Sequence, residues 1–158
     1  MPVRLADAGD VDAIIELVRE FAAFEGDPLV DGPDRAQFAA NLSGPRPIVE
    51  AFLAESSAGV PVGFALFSPR CNPGTGRLDV IYLSDLFVRE AFRGHGWGRA
   101  LMAALARLAA ERGCTRIDWS VLHENTSAIA FYRSLGATPM DDRVTYRLNA
   151  NAIARLRR

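Results

Sequence analysis

The chain has 158 residues, a formal net charge of −1 and a pI near 6.1, and all 18 of its basic side chains are arginine because it contains no lysine. This length suits one domain over residues 1–158, and the near-neutral charge argues against a dedicated nucleic-acid binder. The sequence has no apolar run long enough to span a membrane and no signal-peptide pattern at its start. Its two cysteines are too few for a disulfide framework or a four-cysteine metal site. We therefore predict a single cytoplasmic domain.

The amino-terminal half predicts one strand, two helices and then three strands. Residues 3–5 have strand character, and Asp7 with Asp10 resembles a capping box at the start of a helix. Apolar residues then follow helical spacing until Gly26 and Pro28 stop the helix. A second helix is predicted at 33–41, before strands at 48–54, 60–66 and 78–88, of which the last two form an antiparallel hairpin.

The carboxy-terminal half alternates helices with strands. A long helix is predicted from about 96 to 112, and Asn125 caps another that ends at Gly136. Strands are predicted at 115–121 and 143–148, and residues 149–158 form a short basic tail helix. The order β-α-α-β-β-β-α-β-α-β predicts an α+β domain with helices flanking one mostly antiparallel twisted sheet.

A glycine-rich segment lies between the strand predicted at 78–88 and the long helix predicted from about 96. It reads Arg-Gly-His-Gly-Trp-Gly at residues 93–98. Main-chain N–H groups at a helix start lack intrahelical acceptors, and the helix dipole adds positive charge there. Glycines let the main chain approach an anion closely. The segment is therefore a candidate diphosphate site, although a turn that only redirects the chain would fit the same residues.

Two common phosphate loops do not fit this segment. The nucleotide P-loop needs a lysine followed by Ser or Thr, and the chain has no lysine. The dinucleotide fingerprint needs G-x-G-x-x-G, whereas the glycines here are Gly94, Gly96 and Gly98. The flanking pattern is also not that of a repeated parallel βαβ sheet.

The segment instead resembles the pyrophosphate loop of the GNAT superfamily of N-acetyltransferases, which reads Arg or Gln, two residues, Gly, one residue, then Gly or Ala. A second resemblance lies downstream, where Asn125 is followed by small residues, the Phe131-Tyr132 pair and Gly136-Ala137. The order of predicted elements is similar to that of the superfamily over nearly the whole chain. The resemblance implies the GNAT fold, in which two strands splay apart at the acyl-CoA site.

Within the superfamily the chain is most similar to the diamine (spermidine/spermine) and thialysine acetyltransferases. The similarity lies in residues 17–25 of the first helix and residues 82–88 of the strand before the loop. Those enzymes carry Glu-Asp where this chain has Ser84-Asp85, and that glutamate helps to hold their amine substrate. The difference argues against strict polyamine specificity. Relatives of this branch are commonly dimers, which implies a homodimer.

The resemblance implies acetyl-CoA as the co-substrate and no metal. Leu86, Phe87 and Val88 would pair through main-chain groups with the pantetheine arm, and Arg93 would add positive charge at the diphosphate. Asn125 would be both a helix cap and a cofactor contact, with Ser127 beside it. Main-chain N–H groups of the loop would hold the diphosphate, from Gly94, His95, Gly96, Trp97, Gly98 and Arg99.

Tyr132 is the candidate general acid that the resemblance implies. A phenol with a pKa of about 10 keeps its proton at neutral pH and can donate it to the leaving thiolate. Asp85 would take the proton of the substrate ammonium, directly or through water, and Glu25 and Ser84 would contact the substrate. Each has a structural alternative, since Tyr132 could simply pack on the inner face of its helix and the carboxylates could simply be solvated.

These residues predict an enzyme that moves an acetyl group from acetyl-CoA to a primary amine of a polyamine- or thialysine-like molecule by direct attack in a ternary complex. Two alternatives stay open. One is a different amine, such as an amino acid, an amino sugar or a protein N-terminus. The other is a non-catalytic acyl-CoA-binding regulatory module. The expected partners are a small-molecule amine and a second copy of the chain, without nucleic acid or membrane.

Overall fold

A computed structural model describes residues 1–26, 32–142 and 144–157. The chain forms two compact units, Met1–Ser120 and Val121–Arg158. The first unit contains the sheet and the glycine-rich loop, and the second contains Asn125 and Tyr132. A single domain over the whole chain stays a prediction.

Five strands form one open mixed sheet in the described part of the first unit. The first four are antiparallel neighbours and the fifth pairs parallel to the fourth, so the sheet is mostly antiparallel, as predicted. The predicted α+β class is confirmed. In spatial order, which is also the chain order, the strands are β1 (Val3–Leu5), β2 (Glu50–Glu55), β3 (Pro61–Asn72), β4 (Arg77–Val88) and β5 (Arg116–Asp118).

The described residues contain five α-helices. In the first unit these are α1 (Val11–Glu25), α2 (Arg35–Ser43) and α3 (Trp97–Glu111), and in the second they are α4 (Thr126–Ser134) and α5 (Ala150–Leu156). The predicted capping box of Asp7 and Asp10 is present before α1, around a short 3-10 turn. Gly26, at φ 71°, ends α1 in the left-handed conformation that glycine tolerates best. No helix of the described residues is both long and apolar enough to cross a bilayer.

The two faces of the sheet bury different residues because strand side chains alternate. Leu53, Phe64 and Phe87 lie in one buried cluster with the apolar face of α1. Phe52 and Phe67 have the opposite parity, and their rings stack 5.6 Å apart between centroids. Helix α3 packs on the sheet outside the α1 cluster, so it covers that second face. Burial on both faces explains why β2 and residues 61–67 of β3 are almost continuously apolar.

Two predicted strands differ from the structure. The strand predicted at 115–121 is reduced to the three residues of β5. The strand predicted at 143–148 is not formed at residues 144–148, where Val144 and Tyr146 are 77% and 92% exposed. An alternating apolar pattern makes a strand only when a neighbour supplies a hydrogen-bonding edge, and no ladder reaches this segment in the described chain. Asp27, Pro28, Arg143 and Arg158, which the predicted elements included, lie outside the described residues.

Candidate active site

A β-bulge interrupts β4 at Ser84. Leu66 of β3 opposes Asp85, but the next residue, Phe67, opposes Leu83, so Ser84 has no partner across the ladder. An extra residue of this kind bends its strand, increases the local twist and redirects the neighbouring side chains. The bulge therefore lies at the Ser84-Asp85 pair that the sequence analysis selected for substrate contact.

Strands β4 and β5 separate soon after they pair. Residues 80–82 pair with residues 116–118, and β4 then continues to Val88. Tyr82 is the last paired residue of β4 on that side, and its hydroxyl lies 3.3 Å from Ser120 Oγ. Beyond it, β4 has no strand neighbour on that side within residues 1–26 and 32–120. This is the geometry of a splayed strand pair.

The hydrogen-bond alternation between β3 and β4 determines which main-chain groups of β4 point into the gap between β4 and β5. Arg89, just after β4, donates its N–H to the carbonyl oxygen of Val62 at 2.9 Å. Because every second residue of an antiparallel strand bonds to the same neighbour, Phe87 also turns its main-chain groups toward β3. Leu86 and Val88 therefore turn theirs toward the splay, while Phe87 is 6% exposed and contributes its ring to the core.

Asp85 and Glu25 come from distant parts of the chain and act on each other. Asp85 shares the strand face of Phe87, which packs on α1, and Glu25 is the last residue of that helix. Burial, followed by the negative charge of Glu25, raises the pKa of the Asp85 carboxyl to about 6. Within residues 1–26 and 32–120, Asp85 has no ion-pair partner. The pair thus offers a cationic group a negative, partly desolvated site.

The glycine-rich loop presents its main chain outward. Gly94 and Gly96 have φ values of 76° and 89°, a region that side chains other than glycine rarely adopt. Gly96 is the N-cap of α3, whose first turn contains no acidic residue. Residues 93–96 form a turn, and the first N–H groups of the helix that follows have no intrahelical acceptor. A left-handed pair of glycines before a helix start forms a concavity suited to an anion such as a diphosphate. His95 is exposed.

Arg93 does not extend along this loop. Its Nε donates to the carbonyl oxygen of Val88 at 2.8 Å, and its guanidinium carbon lies 4.3 Å from the centroid of the Phe24 ring. The Phe87 ring is 5.6 Å from the same carbon. The side chain expected to add charge at the diphosphate therefore lies over the end of β4 and the last turn of α1.

The second unit carries Asn125, Ser127 and Tyr132. Asn125 Oδ1 accepts hydrogen bonds of 3.1 Å from the N–H of Ala128 and from the Ser127 hydroxyl. This caps α4, as predicted. Tyr132 lies in the same helix, half-buried, with its ring 5.3 Å from that of Phe131.

Two residues of this region were missed from the sequence, Phe24 and Arg89. Arg89 donates to Glu20 Oε1 at 2.7 Å, to Glu16 Oε1 at 2.6 Å and to the carbonyl oxygen of Pro61 at 2.7 Å. These bonds hold α1 against the end of β4. The spacing of the two glutamates by one helical turn was the available signal, since it places both on one face of α1.

A metal centre is not formed by the described residues, among which no three His, Cys, Asp or Glu side chains come together. The first unit offers carboxylates and main-chain N–H groups, and the second unit offers the phenol of Tyr132. These groups can bind a cation, bind an anion and transfer protons.

Comparison with known proteins agrees with the family resemblance seen in the sequence. Residues 13–137 match the model of the acetyltransferase (GNAT) family. The chain is 32% identical over 149 residues to the thialysine N-epsilon-acetyltransferase of Bos taurus, covering 89% of this chain and 85% of that protein. It is 30% identical over 143 residues to the human spermidine/spermine N(1)-acetyltransferase-like protein 1, covering 85% of this chain and 20% of that protein. The predicted branch is confirmed.

A solved structure supports the fold. Aminoglycoside N-acetyltransferase AAC(6')-Iy in complex with CoA has a TM-score of 0.70 and 22% identity, over 94% of this chain and 100% of that one. The family model, the relatives and the sheet with its splayed strands agree. The chain therefore belongs to the acetyltransferase (GNAT) family and is an N-acetyltransferase.

Proposed function

We propose that this N-acetyltransferase moves the acetyl group of acetyl-CoA to a primary amine of a small cationic molecule, polyamine- or thialysine-like, by direct attack in a ternary complex. The observation that carries the proposal is the pairing of half-buried Asp85 with Glu25 beside the bulge of β4. A site with two carboxyl groups favours an acceptor that brings positive charge.

The co-substrate side of the proposal rests on main-chain groups. The outward N–H and carbonyl groups of Leu86 and Val88 are suited to pairing with an extended amide-containing arm, as an added strand would pair. The Val88 carbonyl already accepts a bond from Arg93, so its N–H and the groups of Leu86 are the ones left for the arm. The N–H groups of the glycine-rich turn and of the first turn of α3 are suited to the diphosphate.

The acceptor side rests on Asp85 as a proton acceptor. An alkyl ammonium has a pKa near 10, so it must lose a proton before it can attack a thioester. The Asp85 carboxyl, with a pKa of about 6, is mostly ionised at pH 7.5 yet is a stronger base than an ordinary carboxylate. It can pass the proton on to water, and Glu25 at the helix end supplies further negative charge for the acceptor.

The departing thiolate needs a proton, and Tyr132 is the proposed donor. Attack on the thioester carbonyl places negative charge on its oxygen, which an outward main-chain N–H of β4 can stabilise. The carbon–sulfur bond then breaks as the phenol protonates the sulfur. The amine nitrogen, now bonded to the acetyl carbon, loses its remaining extra proton to water and becomes the nitrogen of an amide, and the Tyr132 phenolate regains a proton from water.

An acceptor screen tests this proposal. CoA release is measured with a thiol reagent for spermidine, thialysine, lysine, amino sugars and peptides. We expect the highest kcat/KM with an acceptor that carries a second cation, and a large loss of that preference in Glu25→Gln. Asp141→Asn, which removes an exposed carboxylate, is the matched control. A preference for neutral amines, or for a peptide N-terminus, would contradict the proposed acceptor class.

Two further predictions, a homodimer and a cytoplasmic location, rest on the family resemblance and on the sequence. Analytical ultracentrifugation at micromolar concentration would give twice the chain mass for the dimer. Fractionation of the source cells would place the activity in the soluble fraction. A monomer over the whole concentration range, or activity in a membrane or secreted fraction, would contradict them.

A further inference from the structure

The guanidinium of Arg93 contacts both the end of β4, five residues before it in the chain, and the last turn of α1, which is far from it in the sequence. It belongs to the loop that precedes α3, it bonds to the last residue of β4, and it stacks on a ring from the last turn of α1. Phe24 is 56% exposed, so its contact with the core is small. That contact alone therefore restrains the last turn of α1 only weakly. The Phe24 and Phe87 rings are 6.5 Å apart, and Arg93 contacts both.

Glu25 follows Phe24 directly, and Gly26 then ends the helix. Whatever holds the Phe24 ring therefore also restrains the main chain from which the Glu25 side chain extends. On the other side, the bond from Arg93 Nε to the Val88 carbonyl fixes the loop to β4, three residues beyond Asp85. A planar guanidinium can make both contacts together, because it donates from its edge while its face lies on a ring.

We propose that Arg93 is a positioning residue that ties the glycine-rich loop to the end of α1 and so holds Glu25 beside Asp85. This inference rests on the proposed function, in which the acceptor amine binds at those two carboxyl groups. A positioning role differs from a role in neutralising the diphosphate. The first depends on the stacking of Arg93 and its bond to Val88, whereas the second depends only on its charge.

The two roles predict different kinetics for Arg93→Met and Arg93→Lys. If Arg93 is a positioning residue, both variants lower kcat/KM for the acceptor by about tenfold. Each variant loses the guanidinium that stacks on Phe24 and donates to the Val88 carbonyl. The dissociation constant of CoA, measured by calorimetry, then stays within about twofold of that of the parent enzyme. For a diphosphate contact, Arg93→Met weakens CoA binding and Arg93→Lys largely restores it.

A double-mutant cycle with Glu25→Gln completes the test. If Arg93 acts by placing Glu25, the double variant Arg93→Met/Glu25→Gln is no worse for the acceptor than the poorer single variant. Additive losses would overturn the inference. The acid limb of the kcat/KM profile should also shift to lower pH in Arg93→Met, as it does in Glu25→Gln, because the Glu25 charge raises the Asp85 pKa.

Controls separate failure of this inference from failure of the proposed function. Arg107→Met removes an exposed arginine of α3 and should leave both constants unchanged. If Glu25→Gln itself leaves acceptor kcat/KM unchanged, the proposed acceptor site is wrong, and this inference with it. If Glu25→Gln lowers acceptor kcat/KM but Arg93→Met and Arg93→Lys do not, only the role of Arg93 is wrong.

Discussion

Replacing Asp85 by asparagine is expected to stabilise the folded protein above pH 6 while it removes the proposed base. The native pKa of about 6 lies roughly two units above the ordinary value of 3.8. At 1.36 kcal/mol per unit, a fully transmitted shift would cost the ionised native state about 3 kcal/mol. Asp85 is only half-buried, so water screens part of this cost, and an asparagine amide has its own burial penalty. A gain of about 1 kcal/mol is therefore expected.

The sign of the pH dependence follows from proton binding. Because the native pKa is raised, the folded state binds the Asp85 proton more tightly than the unfolded state between about pH 4 and pH 6. Over that window the wild-type protein loses stability relative to Asp85→Asn as the pH rises. Below pH 4 both states are protonated and the contribution of Asp85 ionisation vanishes, and above pH 6 that contribution is constant.

Urea unfolding at pH 4 and at pH 8 measures the effect, with Asp141→Asn as the control for loss of an exposed carboxylate. The free energy of unfolding of Asp85→Asn should exceed that of the wild type at pH 8, and its advantage over the wild type should be smaller at pH 4. Glu25→Gln should give a smaller gain of the same sign, since it removes only the second cause of the shift. An Asp85→Asn protein that is less stable than the wild type at pH 8 would refute the reasoning.

Three other changes test separate parts of the site. Tyr132→Phe should lower turnover by about 100-fold with little change in the KM for acetyl-CoA, and unchanged turnover would remove Tyr132 as the acid. Gly94→Ala and Gly113→Ala should each cost about 1 kcal/mol of stability in urea, because both glycines have positive φ, 76° and 66°, in open space. Only Gly94→Ala should raise the KM for acetyl-CoA, and equal KM values would contradict a diphosphate site at the loop. Arg89→Leu should lower the free energy of unfolding by about 2 kcal/mol, since it leaves Glu20 without its cation, and a urea midpoint equal to that of the wild type would contradict this.

The long helices could be predicted closely because their signals are local. The apolar spacing and Gly26 predicted the end of α1 at Glu25, and the helix predicted from 96 to 112 is observed as Trp97–Glu111. The segment 144–148 has an equally clear alternating pattern, yet it forms no strand. A helix satisfies its own main chain, whereas a strand depends on a neighbour that its own sequence does not identify.

In the candidate site, too, features that depend on distant parts of the chain could not be predicted from the local sequence. Asp85 and Glu25 could be selected from the sequence through the family resemblance, and the structure brings their charges within reach of each other. The position of the bulge at Ser84 could not be predicted, because it is a property of the register between β3 and β4. The direction of Arg93 could not be predicted either, because it depends on a ring that lies far away in the sequence.

Arginine carries all the basic side-chain charge of this chain, which has a consequence for an enzyme that handles activated acetyl groups. Arg35 binds Asp12 through two hydrogen bonds of 2.6 and 2.9 Å, and Arg112 binds Glu50 through two of 2.5 and 2.6 Å. These forked contacts join separate elements and need a planar guanidinium, which an ammonium cannot replace. A lysine at such a position would also lose its charge if it were acetylated. Because no side chain offers a primary amine, the enzyme's own acetyl donor cannot remove these ion pairs by forming an amide.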